Sequence, residues 1–133
     1  MAQNVDPIFT LTPKSIASVI TAADTTTAIP VYSAGEDGGA VVSVGVCSFD
    51  ASDMNIVLTV DTGSSTRVLG TVNVPALSGT DGAAAPVNIL TKANIPACQS
   101  DNTLILQAGY VLQVEALATV GGNIDVTGIA GDY

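Results

Sequence analysis

From Gly39 to Asp50 the chain reads "GAVVSVGVCSFD", and apolar residues recur at every second position. A period of two places Val42, Val44 and Val46 on one face of a strand and Val41, Cys47 and Phe49 on the other. The next run, "MNIVLTV", alternates Ile56, Leu58 and Val60 against Val57 and Thr59. "RVLGTVNVP" groups Val68, Val72 and Val74 before Pro75 ends it. Further on, "GYVLQVEALA" sets Tyr110, Leu112, Val114, Ala116 and Ala118 against Gln113 and Glu115, and "NIDVT" sets Ile124 and Val126 against Asp125 and Thr127. Two shorter runs, Ile16–Ala22 and Ile29–Tyr32, precede these, and their β-branched content disfavours a helix over 15–23.

Turn chemistry separates the runs. "AGEDGG" at 34–39 carries Asp37-Gly38, where glycine accepts positive φ; Ala108-Gly109 divides "NTLILQAGYVLQVEALATV" into two strands. "VNILTKANIP" begins as a strand and then turns. The small-residue loop around 76–86 carries little to hold it within the domain, so it is expected to order against a partner. Altogether roughly eight antiparallel strands at this spacing predict an all-β β-sandwich or jelly roll. Pro7 and Pro13 bar central ladder positions, so residues 1–15 are expected to form an N-terminal arm or edge strand, with 16–133 as one β-sandwich domain.

Composition agrees with a small-residue sheet core: 47% of residues are apolar but only 4% aromatic. Charge narrows the partners. Lys14, Arg67 and Lys92 face twelve acidic residues, a formal net charge of −9. Phosphate neutralisation needs clustered Lys and Arg, so neither nucleic acid nor an anionic membrane is an expected partner. The start, "MAQNVDPIF", lacks a basic region followed by an apolar one, and no apolar run approaches a membrane span, so the chain is expected to be soluble and released only by lysis.

The chain has no His, which removes Ser-His-Asp and Cys-His catalysis and His-containing metal sites. Cys47 and Cys98 are expected as unpaired thiols, with Cys47 serving as a small apolar group. No catalytic residue, metal ligand or cofactor is assigned.

"LTVDTGSST" at 58–66 is the one stretch with a catalytic resemblance. Its Asp61-Thr62-Gly63 resembles the signature of homodimeric, retroviral-type aspartic proteases, in which one such Asp from each chain shares a proton with its partner. "TVGGN" at 119–123 weakly matches a second element of that family. The helix that should follow is missing: "NIDVTGIAGDY" alternates like a strand. Asp, Thr, Gly and Ser are also what a hairpin tip contains, so Asp61 is expected in a plain turn, with the protease as the alternative from another class. "EDGG", "DASD" and "SGTDG" lack the spacing of a calcium loop and are expected to be solvated turns. A carbohydrate-binding sandwich is weaker still, since Tyr32, Tyr110 and Tyr133 are the only tyrosines and Trp is absent.

A broader resemblance covers nearly the whole chain. "PIFTLTP", "SAGEDGG" before a valine-rich strand, "RVLGTVNVPALSGTDGAAAPVNIL", "LQAGYVLQVEALAT" and the terminal "GDY" resemble small virion structural proteins of tailed bacteriophages, which often end in Gly-Asp-Tyr or a near variant. The Cys98 loop departs from that pattern. The resemblance implies a non-enzymatic structural protein. Its leading form is a capsid decoration or cement protein on the capsid exterior, assembled in the host cytoplasm. Such a protein binds the major capsid protein and forms a homo-oligomer, a dimer or trimer. A tail or fibre component is the alternative within that class.

Overall fold

In a computed structural model of the chain, residues 12–133 are described. Within the described residues, nine strands form two antiparallel sheets. In chain order they are β1 (Thr12–Ile20), β2 (Ile29–Ser33), β3 (Gly39–Ser48), β4 (Met54–Asp61), β5 (Thr66–Val74), β6 (Val87–Asn88), β7 (Leu104–Leu106), β8 (Val111–Ala116) and β9 (Ile124–Asp132). The first sheet runs β1-β9-β3-β6, with β7 also on β3; the second runs β2-β8-β4-β5. Only the β4–β5 hairpin keeps both of its strands adjacent in one sheet with a tight turn. Apart from the β6–β7 connection, which returns to β3, the other connections cross between sheets, and this path is a jelly roll.

β6 and β7 share one position at the sheet edge. β6 pairs with Gly45 and Val46, β7 pairs with Gly39, Ala40 and Val41, and both run antiparallel to β3. The residues between them, 89–103, leave that edge and tuck Ile89, Leu90, Ile95 and Cys98 into the core. Lys92 Nζ donates to the carbonyls of Pro96 and Cys98, at 2.7 Å each, and so holds this excursion closed. It packs over β5, where a Cβ on Gly70 would collide with Asn94 O and Ile95 Cδ1. At the opposite side β1 and β2 approach each other, and Ser18 Oγ reaches the Pro30 carbonyl. Eight sheet positions therefore accommodate nine strand segments.

The core lies between the sheets. Ile16, Ile20, Val41, Val44, Val46, Ile124 and Val126 come from the first; Ile56, Leu58, Val72, Val74, Leu112 and Val114 come from the second. Side chains of this size interdigitate closely, and Tyr32 is the one buried aromatic ring among the described residues of the cluster.

Strict alternation fails at three bulges. The register of β3 on β9 slips between Val41 and Ser43. The extra residue returns Val41 to the inward face beside Val44 and Val46 and leaves Val42 outside: Val41 is 0% exposed and Val42 48%. The expected grouping of Val42 with Val44 is thus reversed for these two residues. In β5 the slip falls between the pairs Leu58–Gly70 and Thr59–Val68, with Leu69 as the extra residue. It sends Val68 outward, 68% exposed, while Val72 and Val74 stay buried. β2 bulges at Val31, which lets both Ile29 and Tyr32 face Val114 and Leu112. Ala118 lies beyond the end of β8 and is exposed.

β1 is the edge strand of its sheet among the described residues, and Pro13 sits in it opposite Gly131. The part of the expected arm before Thr12 lies outside the described residues. Residues 22–24 form a short 3-10 turn, in which Thr21 and Asp24 cap each other. No helix among the described residues is long and apolar enough to cross a membrane.

Candidate functional site

Asp61 ends β4 opposite Thr66, at the tip of the β4–β5 hairpin. Its carboxylate accepts the Gly63 N–H at 2.8 Å, and the Thr62 N–H donates to the Ser65 carbonyl at 2.9 Å. Gly63 has φ of 92°, the left-handed conformation such a turn needs. The residues after "TVGGN" form β9, a strand. Asp61 is thus engaged with its own turn. Two of the other acidic stretches behave similarly, with Asp81 Oδ1 accepting Ala83 N–H and Asp37-Gly38 closing a turn through Gly38 N–H to Gly35 O, whereas Asp50 of "DASD", expected in a solvated turn, is buried. Among the described residues, no three His, Cys, Asp or Glu side chains are grouped as a metal would require. Both cysteines are free, Cys98 buried and Cys47 half-buried on the outward face rather than in the core.

Loops gather at the two ends of the sandwich. Segments 34–38, 62–65 and 107–110 share one end; 21–28, 49–53, 75–86 and 117–123 share the other. The second end is built around Asp50, only 5% exposed. Its Oδ1 accepts Ser52 N–H and its Oδ2 accepts Gly121 N–H, both at 2.9 Å. These bonds, the Ser52 one foremost, hold the carboxyl below the usual carboxylate range despite burial. The Asp50 carbonyl accepts Leu77 N–H at 3.0 Å, and Asp53 Oδ1 accepts Ala76 N–H at 2.9 Å.

Strand β3 extends the same network. Ser48 N–H donates to Ser78 O, Thr80 Oγ1 donates to Ser48 O, and Phe49 N–H donates to Asn123 O. The loop around 76–86, expected to lack internal support, is therefore tied to β3 and to the 49–53 loop; Gly79 N–H to Ala84 O closes it further at 2.7 Å. Gly122 lies so close to the Phe49 carbonyl that any side chain would collide with backbone.

Among exposed polar residues such as Asp53 and Asp81, this braced end displays two large apolar side chains. Phe49 is 54% and Leu117 52% exposed, on loops from the first and second sheets respectively. Leu117 is fixed through its N–H to the Asn55 carbonyl. Two large apolar side chains on backbone with this many tertiary hydrogen bonds are pre-organised for contact, since little loop entropy remains to be lost on binding.

The opposite end holds a second polar cluster. Asp132 Oδ1 accepts the Tyr32 hydroxyl at 2.6 Å and the Gly35 N–H at 3.2 Å, and Lys14 Nζ meets Asp132 Oδ2 at 2.9 Å. The Tyr32 hydroxyl also reaches the Gly131 carbonyl at 3.0 Å, and Tyr133 N–H donates to Gly38 O at 3.1 Å. Each residue of the terminal Gly-Asp-Tyr thus has a structural partner. Burial and the Asp132 carboxylate push the Tyr32 phenol well above its ordinary range, and the Tyr32 hydroxyl and Lys14 lower Asp132.

No protein-family model, curated protein or solved structure matches this chain. Neither polar cluster was legible beforehand. "FDASD" and "TVGG" lie about seventy residues apart, and nothing in either stretch marks the other as its partner; a lone Asp flanked by strand and turn signals points only to a local cap. The period of two places Phe49 on a strand face, whereas it lies just beyond the end of β3.

Proposed function

We propose that this chain is a non-enzymatic virion structural protein of a tailed bacteriophage, a capsid decoration or cement protein that stabilises the shell by binding the major capsid protein. The observation that carries the reading is the braced loop end. Phe49 and Leu117 stand exposed on loops tied by Asp50, an arrangement suited to anchoring in pockets of a partner and needing no reacting group. Jelly rolls serve in viral capsids as well as in lectins, and this fold-level analogy supports the class. The acidic balance favours an exterior position over a lining that faces DNA. A second copy bound beside the first would make the contact symmetric, as oligomeric coats require.

Expanded capsids of the encoding phage provide the test. Wild-type protein is expected to co-sediment with them and to raise their thermal disruption temperature. The Phe49→Asp/Leu117→Asp double variant, folded by circular dichroism, is expected to do neither. Failure of the wild type to bind overturns the shell reading, and antibody label on the tail in electron micrographs replaces it with a tail or fibre component. Peptide cleavage at acidic pH that Asp61→Asn abolishes would overturn the non-enzymatic class.

A further inference from the structure

Gly45 has no use inside the described fold. It lies in β3 between β9 and β6, paired with Thr127 and Asn88, beyond the bulge at Val41–Ser43 and without positive φ. A Cβ there would have only the Thr127 carbonyl oxygen within 4 Å, at 3.9 Å, whereas one on Gly128 would strike the Ser43 carbonyl. Glycine weakens the interior of a strand, and where no turn, bulge or internal contact asks for it, it marks a place that another backbone or a ligand approaches closely.

Cross-strand register sets Gly45 in an outward row with Ala17 and Thr127, and the next row holds Ser15, Ile129 and Ser43. Neither row carries a charge. Of the seven exposed large apolar side chains among the described residues, Val19, Val42, Ile105 and Ile129 all stand on this outward face of the first sheet, and Ile129 is the most exposed of the four at 58%. The second sheet turns Asn55, Thr71, Asn73, Gln113 and Glu115 outward instead. We infer that the outward face of the first sheet packs on the same face of a second copy, with Ile129 of each copy seated over Gly45 of the other.

The hole at Gly45 and the knob at Ile129 lie on one face, one strand and one row apart. A two-fold axis in the contact plane between them exchanges the two, so both contacts form at once, which is the self-complementarity an isologous dimer needs. The size agrees: four strand positions about 4.8 Å apart and nine residues of about 3.3 Å make a face of about 600 Å² per copy, which for the pair reaches the lower end of specific interfaces. One added peptide strand would cover about a quarter of that breadth, whereas the exposed apolar positions run from Val19 on β1 to Ile105 on β7. Edge pairing is a poor alternative, since Pro13 lies in β1, Pro30 in β2 and a bulge in β5. The net charge of −9 opposes association, yet Asp125 is the one charged residue at the outward strand positions of this face. By the same strand spacings the axis leaves the two Asp125 side chains about 14 Å or more apart, beyond the screening length of about 8 Å at physiological salt.

Sedimentation equilibrium of the full-length chain tests the inference, which goes beyond the virion reading and does not rest on it. A dimer is expected, and its association should strengthen as salt is raised, because screening removes the repulsion between two acidic bodies. Gly45→Gln meets open space in the isolated fold and should unfold at a temperature no lower than wild type, yet it fills the hole and is expected to weaken association by roughly tenfold or more. Ile129→Asp should weaken it likewise, and Thr71→Gln, exposed on the other sheet, should leave it unchanged. A wild-type chain that stays monomeric overturns the proposal, and so does a dimer that neither Gly45→Gln nor Ile129→Asp weakens. In the monomeric case, maleimide labelling of Ile129→Cys in a Cys47→Ser background, alone and with capsids, shows whether the chain itself or another protein covers the face. No capsid enters the sedimentation, so the dimer and the virion reading fail separately.

Discussion

The Tyr32 hydroxyl and the Asp132 carboxylate, 100 residues apart in sequence, meet at 2.6 Å and join the edge strand of one sheet to the last strand of the other. Tyr32 is buried, and Gly39 leaves room for its hydroxyl: a Cβ at that position would overlap the phenol oxygen. The bond therefore clamps the sandwich where β2, β3 and β9 converge. Tyr32→Phe keeps the ring and removes both hydroxyl bonds, so a loss of about 1–2 kcal/mol is expected in urea unfolding, with the fold retained. Gly39→Ala should cost more, because the new methyl displaces the phenol from its partners.

The same clamp and the Asp50 hub predict how stability depends on pH. Asp50 and Asp132 titrate below their ordinary values in the fold, whereas in the unfolded chain each takes up its proton near pH 3.9. As pH falls below about 5, the unfolded state binds more protons than the folded one, so the stabilisation, complete above that range, is lost progressively. Tyr32 runs the other way: raised in the fold, it contributes fully below about pH 10 and loses its contribution as pH rises above that. Urea midpoints measured from pH 3 to 11 should fall at both extremes. Asp50→Asn should flatten the acid limb and Tyr32→Phe the alkaline limb.

Adjacent valines in β3 should respond in opposite ways. Val41→Ala removes two buried carbons and is expected to cost about 2 kcal/mol, whereas Val42→Ala should change stability by less than about 0.5 kcal/mol. Equal costs in equilibrium unfolding would mean that the bulge between Val41 and Ser43 is absent in solution. Val72→Ala against Val68→Ala is the matching pair in β5.

This contrast also shows how far the sequence alone could be read. The class, two stacked antiparallel sheets, follows from alternating runs and turn residues, which are local. Both turn readings at Asp37-Gly38 and Asp61-Thr62-Gly63 are local as well, and the structure has turns at both. Bulges depend on how a strand registers against its neighbours, so Val42 and Val68 look identical in sequence to buried valines. The 89–103 excursion escaped for the same reason: only the fold shows that Ile95 fills the space beside Gly70 and that Cys98 is buried. The site was less legible than the fold, since Asp50 acts through backbone N–H groups at Ser52 and Gly121, which leave no trace in residue identity.

Asp61→Asn tests the hairpin tip directly. An amide oxygen still accepts the Gly63 N–H, so stability should change by less than about 0.5 kcal/mol. Gly63→Val, by contrast, forces a β-branched residue to φ of 92° and is expected to destabilise by about 1–3 kcal/mol although nothing crowds the site. Thermal unfolding of the two variants separates them.

Asp50→Ala separates bracing from folding at the other end. The substitution strips the acceptor from the Ser52 and Gly121 N–H groups, which belong to exposed residues and can turn to water, so the loss of the two bonds is expected to cost about 1–3 kcal/mol in all. The sandwich core does not pass through Asp50, so strands β3, β4 and β9 should keep their hydrogen-exchange protection relative to global stability. The amides of Ser52, Leu77 and Gly121 should lose theirs. If Phe49 and Leu117 bind as pre-organised anchors, affinity for the partner should drop even under conditions where the variant is fully folded, because the loops must then be ordered during binding. Unchanged protection at Gly121 would show that the neighbouring bonds, Phe49 to Asn123 and Leu77 to the Asp50 carbonyl, hold this end without the carboxylate.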